Sequence, residues 1–541
     1  MRLKQDNPFT SHRWDRGSSC DEPRIHGEWV GVFIVFALAA GLWLSTSSIT
    51  FAADFTDVGY SALQAELGAG TPTGAGVHAA QVEAPINDTS GGAAPIFMPN
   101  PSDAEFSGKA ISAINGNPSG SFSSHATVVG RLFYGNTSSI APGISQIAGY
   151  DATSWFNGLS SPSGTTTTAP TRITNHSWVG AGDTLTATGQ ILRLVDRQVH
   201  RNESIQIVGL ANASADSPLL GSGYNVISVG RTDGGHQRNT VSVSGDSFYG
   251  TVRTAPHLVA PESTTSNATP VVSAAAALLV QTGHEAGPSL SDGSTTISGV
   301  GTIYNAERSE TIKATLMAGA DRDTANRGTT DNITDYHSAG HETANGLDDR
   351  YGAGQVNILN SYHILAGGEQ PSLQEGGSDI DRFGFDYAEA FGGLNGSPPT
   401  ASYFFSTATD VTLFSSLAWN VGVSNDSALT TSRHRLNLSL FDITAGSLLG
   451  ESSSALDNTQ NLYMRLLAGR RYELRVTAGE TGNFSQDYAL AWRMEVAAVP
   501  LPAAAWLFGS GVVTLMGLAR RQGTAQLTSR EVILHAGCDL D

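Results

Sequence analysis

Four residues spread along the chain have the side-chain types that acyl transfer by a hydroxyl requires: a nucleophile, a base, a carboxylate to orient the base, and a donor for the developing oxyanion. The serine is Ser266, in Thr264-Thr265-Ser266-Asn267-Ala268-Thr269-Pro270, directly ahead of an alanine-rich apolar run at residues 271–280. Such a run reads as a buried helix, with Pro270 in a first turn that tolerates a missing N–H. Ser266 then lies at the positive end of a helix dipole, among backbone N–H groups without helical acceptors, where a developing oxyanion is favoured. The same residues also fit an ordinary Ser/Thr helix cap, so the decision rests on its partners. His125 stands among small residues in Ser123-Ser124-His125-Ala126-Thr127 at the start of an apolar stretch. Asn212 follows the apolar Val208-Gly209-Leu210-Ala211, and Glu83 ends Val77-His78-Ala79-Ala80-Gln81-Val82. An isolated carboxylate ending an apolar strand needs a reason, and carboxyl ends of parallel strands are where α/β sheets build sites.

The elements that must position these groups are legible as short apolar segments at 77–82, 145–150, 205–211 and 226–229, which read as buried strands. Between two of them a helix is expected over 184–200, capped by Asp183, with Ile191, Leu192, Leu194 and Val195 at helical spacing. Strands alternating with helices imply a parallel sheet covered on both faces. A further helix is expected around 311–317, and the turn at 348–357 closes this region near Leu365. After Gly367 the period becomes two: Leu436, Leu438 and Leu440, then Tyr472, Leu474 and Val476, then Tyr488-Ala489-Leu490-Ala491-Trp492. Residues 372–495 are therefore expected to form a separate antiparallel β-sandwich, a binding or stabilising module rather than a catalytic one.

Both ends of the 541-residue chain carry uncharged runs. Residues 1–53 read as a signal peptide whose uncharged run covers 30–53, with cleavage by a signal peptidase near Ala53 or Asp54; a retained N-terminal anchor is the alternative. Residues 496–519, followed by Arg520-Arg521, are long enough to span a bilayer with the arginines stopping on the cytoplasmic side. The net charge is -19 with no basic patch, which disfavours nucleic acid as a partner. The two cysteines, Cys20 and Cys538, fall outside every segment expected to fold, leaving neither a disulfide framework nor a cysteine metal site.

On these residues the chain resembles the subtilisin-like serine proteases, the subtilases. Their order of acid, histidine, oxyanion asparagine and serine matches Glu83, His125, Asn212 and Ser266. Ser124-His125-Ala126-Thr127 resembles the family's His-Gly-Thr block, and Thr265-Ser266-Asn267-Ala268-Thr269-Pro270 resembles its Gly-Thr-Ser-Met-Ala-Thr-Pro block. Ala141-Pro142-Gly143, Asn175-His176-Ser177-Trp178 as a substrate-lining strand, Asn225-Val226-Ile227-Ser228-Val229-Gly230 and Leu258-Val259-Ala260-Pro261 add supporting blocks over residues 56–365. The resemblance implies a peptidase domain at 54–367, an acyl-enzyme mechanism, and protein or peptide substrates. The chain departs from the family in having Glu83 for the usual Asp, Thr264 two before the serine, and Glu262 after Ala260-Pro261. The longer acid demands a shift of about 1 Å, a misplacement able to cost about 100-fold in rate. Only about twenty residues separate the expected signal cleavage from Gly74, too few for the folding propeptide of many subtilases. These departures keep open a second expectation, a catalytically degenerate surface protein with the same fold. The stretch Val499-Pro500-Leu501-Pro502 through Gly511 resembles the PEP-CTERM sorting signal, which implies processing by an exosortase after a transient inner-membrane stage and a cell-surface or extracellular destination in a Gram-negative bacterium. Leu501 stands where the name-giving Glu would, and a polar tail at 522–541 follows.

Other candidates are weaker. His284-Glu285 and His341-Glu342 lack the second histidine of a zinc helix. Asp379, Asp381 and Asp386 could hold a structural calcium, although a surface turn is the simpler reading. Since both cysteines fall outside the expected folded regions, dithiothreitol should leave the melting temperature of the folded body unchanged. A lower midpoint in reductant, followed by differential scanning fluorimetry, would contradict those boundaries.

Overall fold

The computed structural model describes residues 55–86, 95–114, 120–159, 171–182, 184–213, 219–240, 246–249, 252–322, 340–392 and 399–496. The expected signal peptide, residues 497–541, both cysteines and Asp183 lie outside the described residues. No helix among the described residues is long and apolar enough to cross a membrane.

Seven short strands form one parallel sheet: β1 (His78–Glu83), β2 (Ala110–Ala113), β3 (Gln146–Asp151), β4 (Ile173–His176), β5 (Ile205–Gly209), β6 (Ile227–Arg231) and β7 (Leu258–Ala260). Their order is β2-β3-β1-β4-β5-β6-β7, and each neighbouring pair runs parallel. The central strands are buried along nearly their whole length, as expected for a sheet covered on both faces. The covering helices are α1 (Tyr60–Leu67), α2 (Ser124–Tyr134), α3 (Ala152–Leu159), α4 (Leu185–Asn202), α5 (Thr265–Glu285), α6 (Gly287–Leu290), α7 (Ser309–Gly319) and α8 (Ile358–Ala366). Strand β1 has β3 on one side and β4 on the other, so the chain leaves it in one direction and later returns on its opposite flank. Such a reversal opens a crevice beyond the carboxyl ends of the strands.

Helix α5 is the pillar of this layer, because its apolar run at 271–280 is buried on every side. Each Leu or Val in that run contributes roughly 1.5–3 kcal/mol by leaving water. The helix begins at Thr265, so Pro270 lies inside it rather than in its first turn. The side chain of Thr264 is the cap, accepting from Asn267 N–H at 3.2 Å. Helix α4 likewise takes its cap from Thr184, whose hydroxyl accepts from Ala187 N–H at 3.1 Å.

Beyond α8 the chain builds two four-stranded antiparallel sheets. After the small hairpin β8 (Ser294–Ile297) and β9 (Gly301–Tyr304), these use β10 (Phe383–Phe391), β11 (Thr400–Thr407), β12 (Val411–Ala418), β15 (Leu436–Asp442), β16 (Ser447–Ser452), β17 (Thr459–Leu466), β18 (Arg470–Ala478) and β19 (Gln486–Val496). The hairpin β13 (Gly422–Val423) and β14 (Thr431–Ser432) stands apart. The sheet orders are β10-β19-β12-β17 and β11-β18-β15-β16, and their inner faces enclose Tyr403, Trp419, Leu438, Leu440, Leu474 and Trp492.

The alternation at 488–492 marks something other than core against solvent. Tyr488, Leu490 and Trp492 point into the sandwich core, whereas Ala489 and Ala491 join the core of the parallel-sheet body, and all five are fully buried. Helix α7 explains this, since every residue of it is buried, between the parallel-sheet body and β12. Polar pairs hold the seam. Arg493 donates to Ala318 O at 2.8 Å and Ala320 O at 2.9 Å, with its guanidinium 3.5 Å over the Phe414 ring. Asn225 exchanges two hydrogen bonds with Val421, and Asn458 donates to Tyr224 O at 3.0 Å. Burial pushes the Arg493 guanidinium down to about 9, partly offset by Asp321. Both sheet systems belong to one compact unit ending at Glu495. Arg493→Ala leaves two buried carbonyls without donors and should lower stability by about 2–4 kcal/mol. Calorimetry should show one cooperative transition for the wild-type unit; two well-separated transitions would contradict an α7 shared by both bodies.

Candidate active site

The crevice predicted by the strand reversal is a cleft of about 320 Å³ lined by residues that leave the carboxyl ends of β1, β4 and β5 and the amino ends of α2 and α5. Glu83, His125, Asn212 and Ser266 all line it, with Ser177, Trp178 and Leu210. The structure thus brings all four sequence-nominated residues together. A larger polar groove of about 410 Å³ between α4 and residues 427–431 holds Arg193 and Asp246, already paired with each other, and no histidine.

Glu83 is the last residue of β1 and only 2% exposed. His125 stands in the first turn of α2, which Ser123 caps by accepting from Ala126 N–H at 3.1 Å. Its imidazole Nδ1 lies 2.8 Å from Glu83 Oε2, with the histidine side chain 45% exposed toward the cleft and the glutamate side chain 3% exposed. Nδ1 must carry the proton in that contact, because a carboxylate oxygen accepts. The hydrogen bond to Glu83 raises the His125 pKa above its ordinary 6.5, burial opposes the rise, and the charge of Glu83 adds to it.

Ser266 is held through its backbone. In a helix, its carbonyl would accept from the N–H of residue 270, but Pro270 has none. Ser177 Oγ supplies the missing donor, to Ser266 O at 2.9 Å. Ser177 Oγ in turn accepts from Asn175 Nδ2 at 3.0 Å, and Ser273 Oγ donates to Asn175 Oδ1 at 3.0 Å. This chain ties the end of β4 to the first and third turns of α5. Helix and sheet approach closely because position 209 is glycine: a Cβ there would stand 2.8 Å from Thr269 Oγ1. The Ser266 hydroxyl itself donates to Ser177 O at 3.2 Å. Asn212 directs its Oδ1 at Thr265, accepting from N–H at 2.8 Å and from Oγ1 at 3.2 Å. That leaves Nδ2 as its remaining donor; the Ser266 N–H belongs to the first helical turn and has no helical acceptor.

The calcium candidates separate. Asp379 pairs with Arg471 Nη2 at 2.7 Å, Asp381 is exposed, and Asp386 is no turn residue but lies fully enclosed in β10, accepting from the Tyr403 hydroxyl. No cluster of His, Cys, Asp and Glu suited to a metal occurs among the described residues. His284 faces Glu307 at 3.0 Å, and His341 faces Asp349 at 2.7 Å. Sequence reading missed Gln81, which donates to Glu83, and Tyr134, which donates to Gln81; the signal available was a glutamine two residues before the acid, on the same face of a largely apolar strand.

No family model and no curated protein sequence matches the chain. Among solved structures it is similar to the prenylagaramide maturation protease PagA, with TM-score 0.34, 18% identity, and coverage of 53% of this chain and 92% of that one. It is similar also to the self-cleaved protease domain of PatA, with TM-score 0.32, 17% identity, and coverage of 54% and 97%. A third is the serine protease MycP1 of the type VII (ESX-1) secretion system, with TM-score 0.32, 15% identity, and coverage of 58% and 90%. The fold stands on the strand order and helix placement described above: a seven-stranded parallel sheet flanked by helices, followed by antiparallel sheets.

A histidine raised by a carboxylate partner is a base only when neutral, so any reaction that uses it gains rate as pH rises through its pKa. The acid limb of kcat/KM should therefore have its midpoint above 6.5. Glu83→Gln removes the negative partner, and should move that midpoint down while lowering kcat by about 10³–10⁴-fold. A wild-type midpoint below 6.5, or one unmoved by the substitution, would contradict the pairing.

Proposed function

We propose that the chain is a subtilisin-like serine endopeptidase. The observation that supports this best is the Glu83–His125 hydrogen bond of 2.8 Å, made in a cleft that Ser266 and Asn212 also line. In this reading the Ser266 hydroxyl turns from Ser177 O toward His125 Nε2, gives up its proton there, and attacks the substrate carbonyl carbon. Glu83 keeps Nδ1–H oriented and favours the imidazolium that forms. Asn212 Nδ2 and the Ser266 N–H receive the oxyanion. The intermediate collapses, His125 passes its proton to the leaving amine, and water hydrolyses the acyl-enzyme by the same steps.

A second reading draws on the resting hydroxyl, which donates to Ser177 O rather than to His125: a surface protein that keeps the fold and site without turnover. Catalytic hydrogen bonds often tighten only with substrate bound, which favours the first. In the first reading residues 54–367 carry the chemistry and residues 372–495 support them. The signal-peptide-like and PEP-CTERM-like ends fit an exported protein that an exosortase releases from a transient inner-membrane stage.

The test is hydrolysis of unfolded protein by the full-length chain in mild detergent. Wild type should cleave, Ser266→Ala should not, and Asn212→Ala should retain its fold while losing about 100- to 1,000-fold in kcat. Equal rates for wild type and Ser266→Ala, or no hydrolysis by folded wild type over a broad peptide library, would leave the surface-protein reading.

A further inference from the structure

The acid of the site is a glutamate, which has one more rotatable bond to fix than an aspartate. Strand β1 places Gln81 and Glu83 on the same face, two residues apart. Gln81 is 1% exposed, and its Nε2 donates to Glu83 Oε1 at 2.7 Å and to Ala126 O at 2.8 Å. Its Oε1 accepts from the Tyr134 hydroxyl at 2.6 Å. The direction of every bond is dictated. An amide group facing a carboxylate and a carbonyl must be the NH₂ end, so its oxygen faces Tyr134, and the phenol must donate. Burial, reinforced by the Glu83 charge, pushes the Tyr134 phenol well above its ordinary range, so it stays protonated. Among the described residues Glu83 thus receives Gln81 on one oxygen and His125 on the other.

Helix α2 is shaped for this contact. Tyr134, wholly buried in its last turn, packs its ring 5.2 Å from Phe106, and position 130 is glycine. A Cβ at 130 would come within 2.5 Å of the Tyr134 hydroxyl and 2.9 Å of the Phe106 ring. Ala126, the second acceptor of Gln81, follows His125 directly, so a single amide grips both the carboxylate and the backbone that carries the imidazole.

We infer that Gln81 and Tyr134 are positioning residues that hold the Glu83 carboxylate in the rotamer from which it orients His125. The inference rests on the peptidase reading for its catalytic meaning, whereas its primary readout is independent of turnover. The full-length chain carrying [¹³Cε1]histidine is titrated by NMR, with the His125 signal assigned by its loss in His125→Gln. Gln81→Met keeps the side-chain length and removes both donors; Tyr134→Phe removes only the hydroxyl. Because the Glu83 hydrogen bond is the main cause of the raised His125 pKa, both variants should lower the His125 midpoint toward 6.5, Gln81→Met by about 0.5 unit or more. In a Glu83→Gln background, Gln81→Met should add no further shift. Where turnover is measurable, kcat per folded molecule should fall about 10-fold with KM unchanged. A merely structural role would lower the melting temperature and leave the midpoint in place. If Gln81→Met fails to fold, Tyr134→Phe decides alone. An unmoved midpoint in the folded variant overturns the inference; a shift in a protein that hydrolyses nothing upholds it while the peptidase reading fails.

Discussion

A carboxyl group removed from water must have its oxygens hydrogen-bonded, or it costs several kcal/mol. Glu83 is such a group, at the closed end of a crevice, and much of the site follows from satisfying it. Its outward oxygen meets His125, which fixes the tautomer of the imidazole and leaves Nε2 for the open side of the cleft. Its inward oxygen meets Gln81, and through Gln81 the tyrosine at the far end of α2. One acidic side chain therefore couples strand β1 to both ends of the helix that presents His125. An aspartate at this position would be one methylene shorter and would set its oxygens back from both Gln81 and His125 on the same backbone.

Ser266 is held by a different device. Proline at the second turn of α5 deletes one helical hydrogen bond, and the freed carbonyl is that of Ser266. Ser177 fills the gap from the end of β4, and is itself set by Asn175 and Ser273. The rigid part of the site is thus strand β4 against helix α5, two elements whose apolar faces already commit them to contact. The hydroxyl itself donates to Ser177 O; in the proposed mechanism it turns from there to the imidazole. Burial of the 267–281 stretch of α5 is the condition for this arrangement, and the antiparallel sheets contribute by covering α7 and α8, which pack beside it.

Much of this was legible in the sequence because it is local. Apolar segments of four to seven residues located four of the seven parallel strands, β1, β3, β5 and β6, within two positions, and the order of Glu83, His125, Asn212 and Ser266 nominated residues that line the cleft. The helix caps were displaced: Thr264 and Thr184 are the capping residues, since a cap is decided by which hydroxyl the bending backbone aims inward. Pro270 reads as a helix start by propensity, yet Ser177, from another part of the chain, makes it tolerable inside the helix. Gln81 and Tyr134 were invisible as partners, 53 residues apart in sequence and joined only by the packing of α2 on β1. The alternating run at 488–492 is the same lesson at larger scale, because period two shows that two faces differ without saying that one is wet.

The claim on which the rest depends is that Ser266, activated by His125, is the nucleophile of this cleft. Peptide mapping by mass spectrometry after treatment of the folded full-length chain with a fluorophosphonate tests it directly. The account predicts a covalent adduct on the peptide containing Ser266, absent when His125 is replaced by alanine. An unmodified Ser266 in folded protein, or an adduct that persists at full yield without His125, would contradict it.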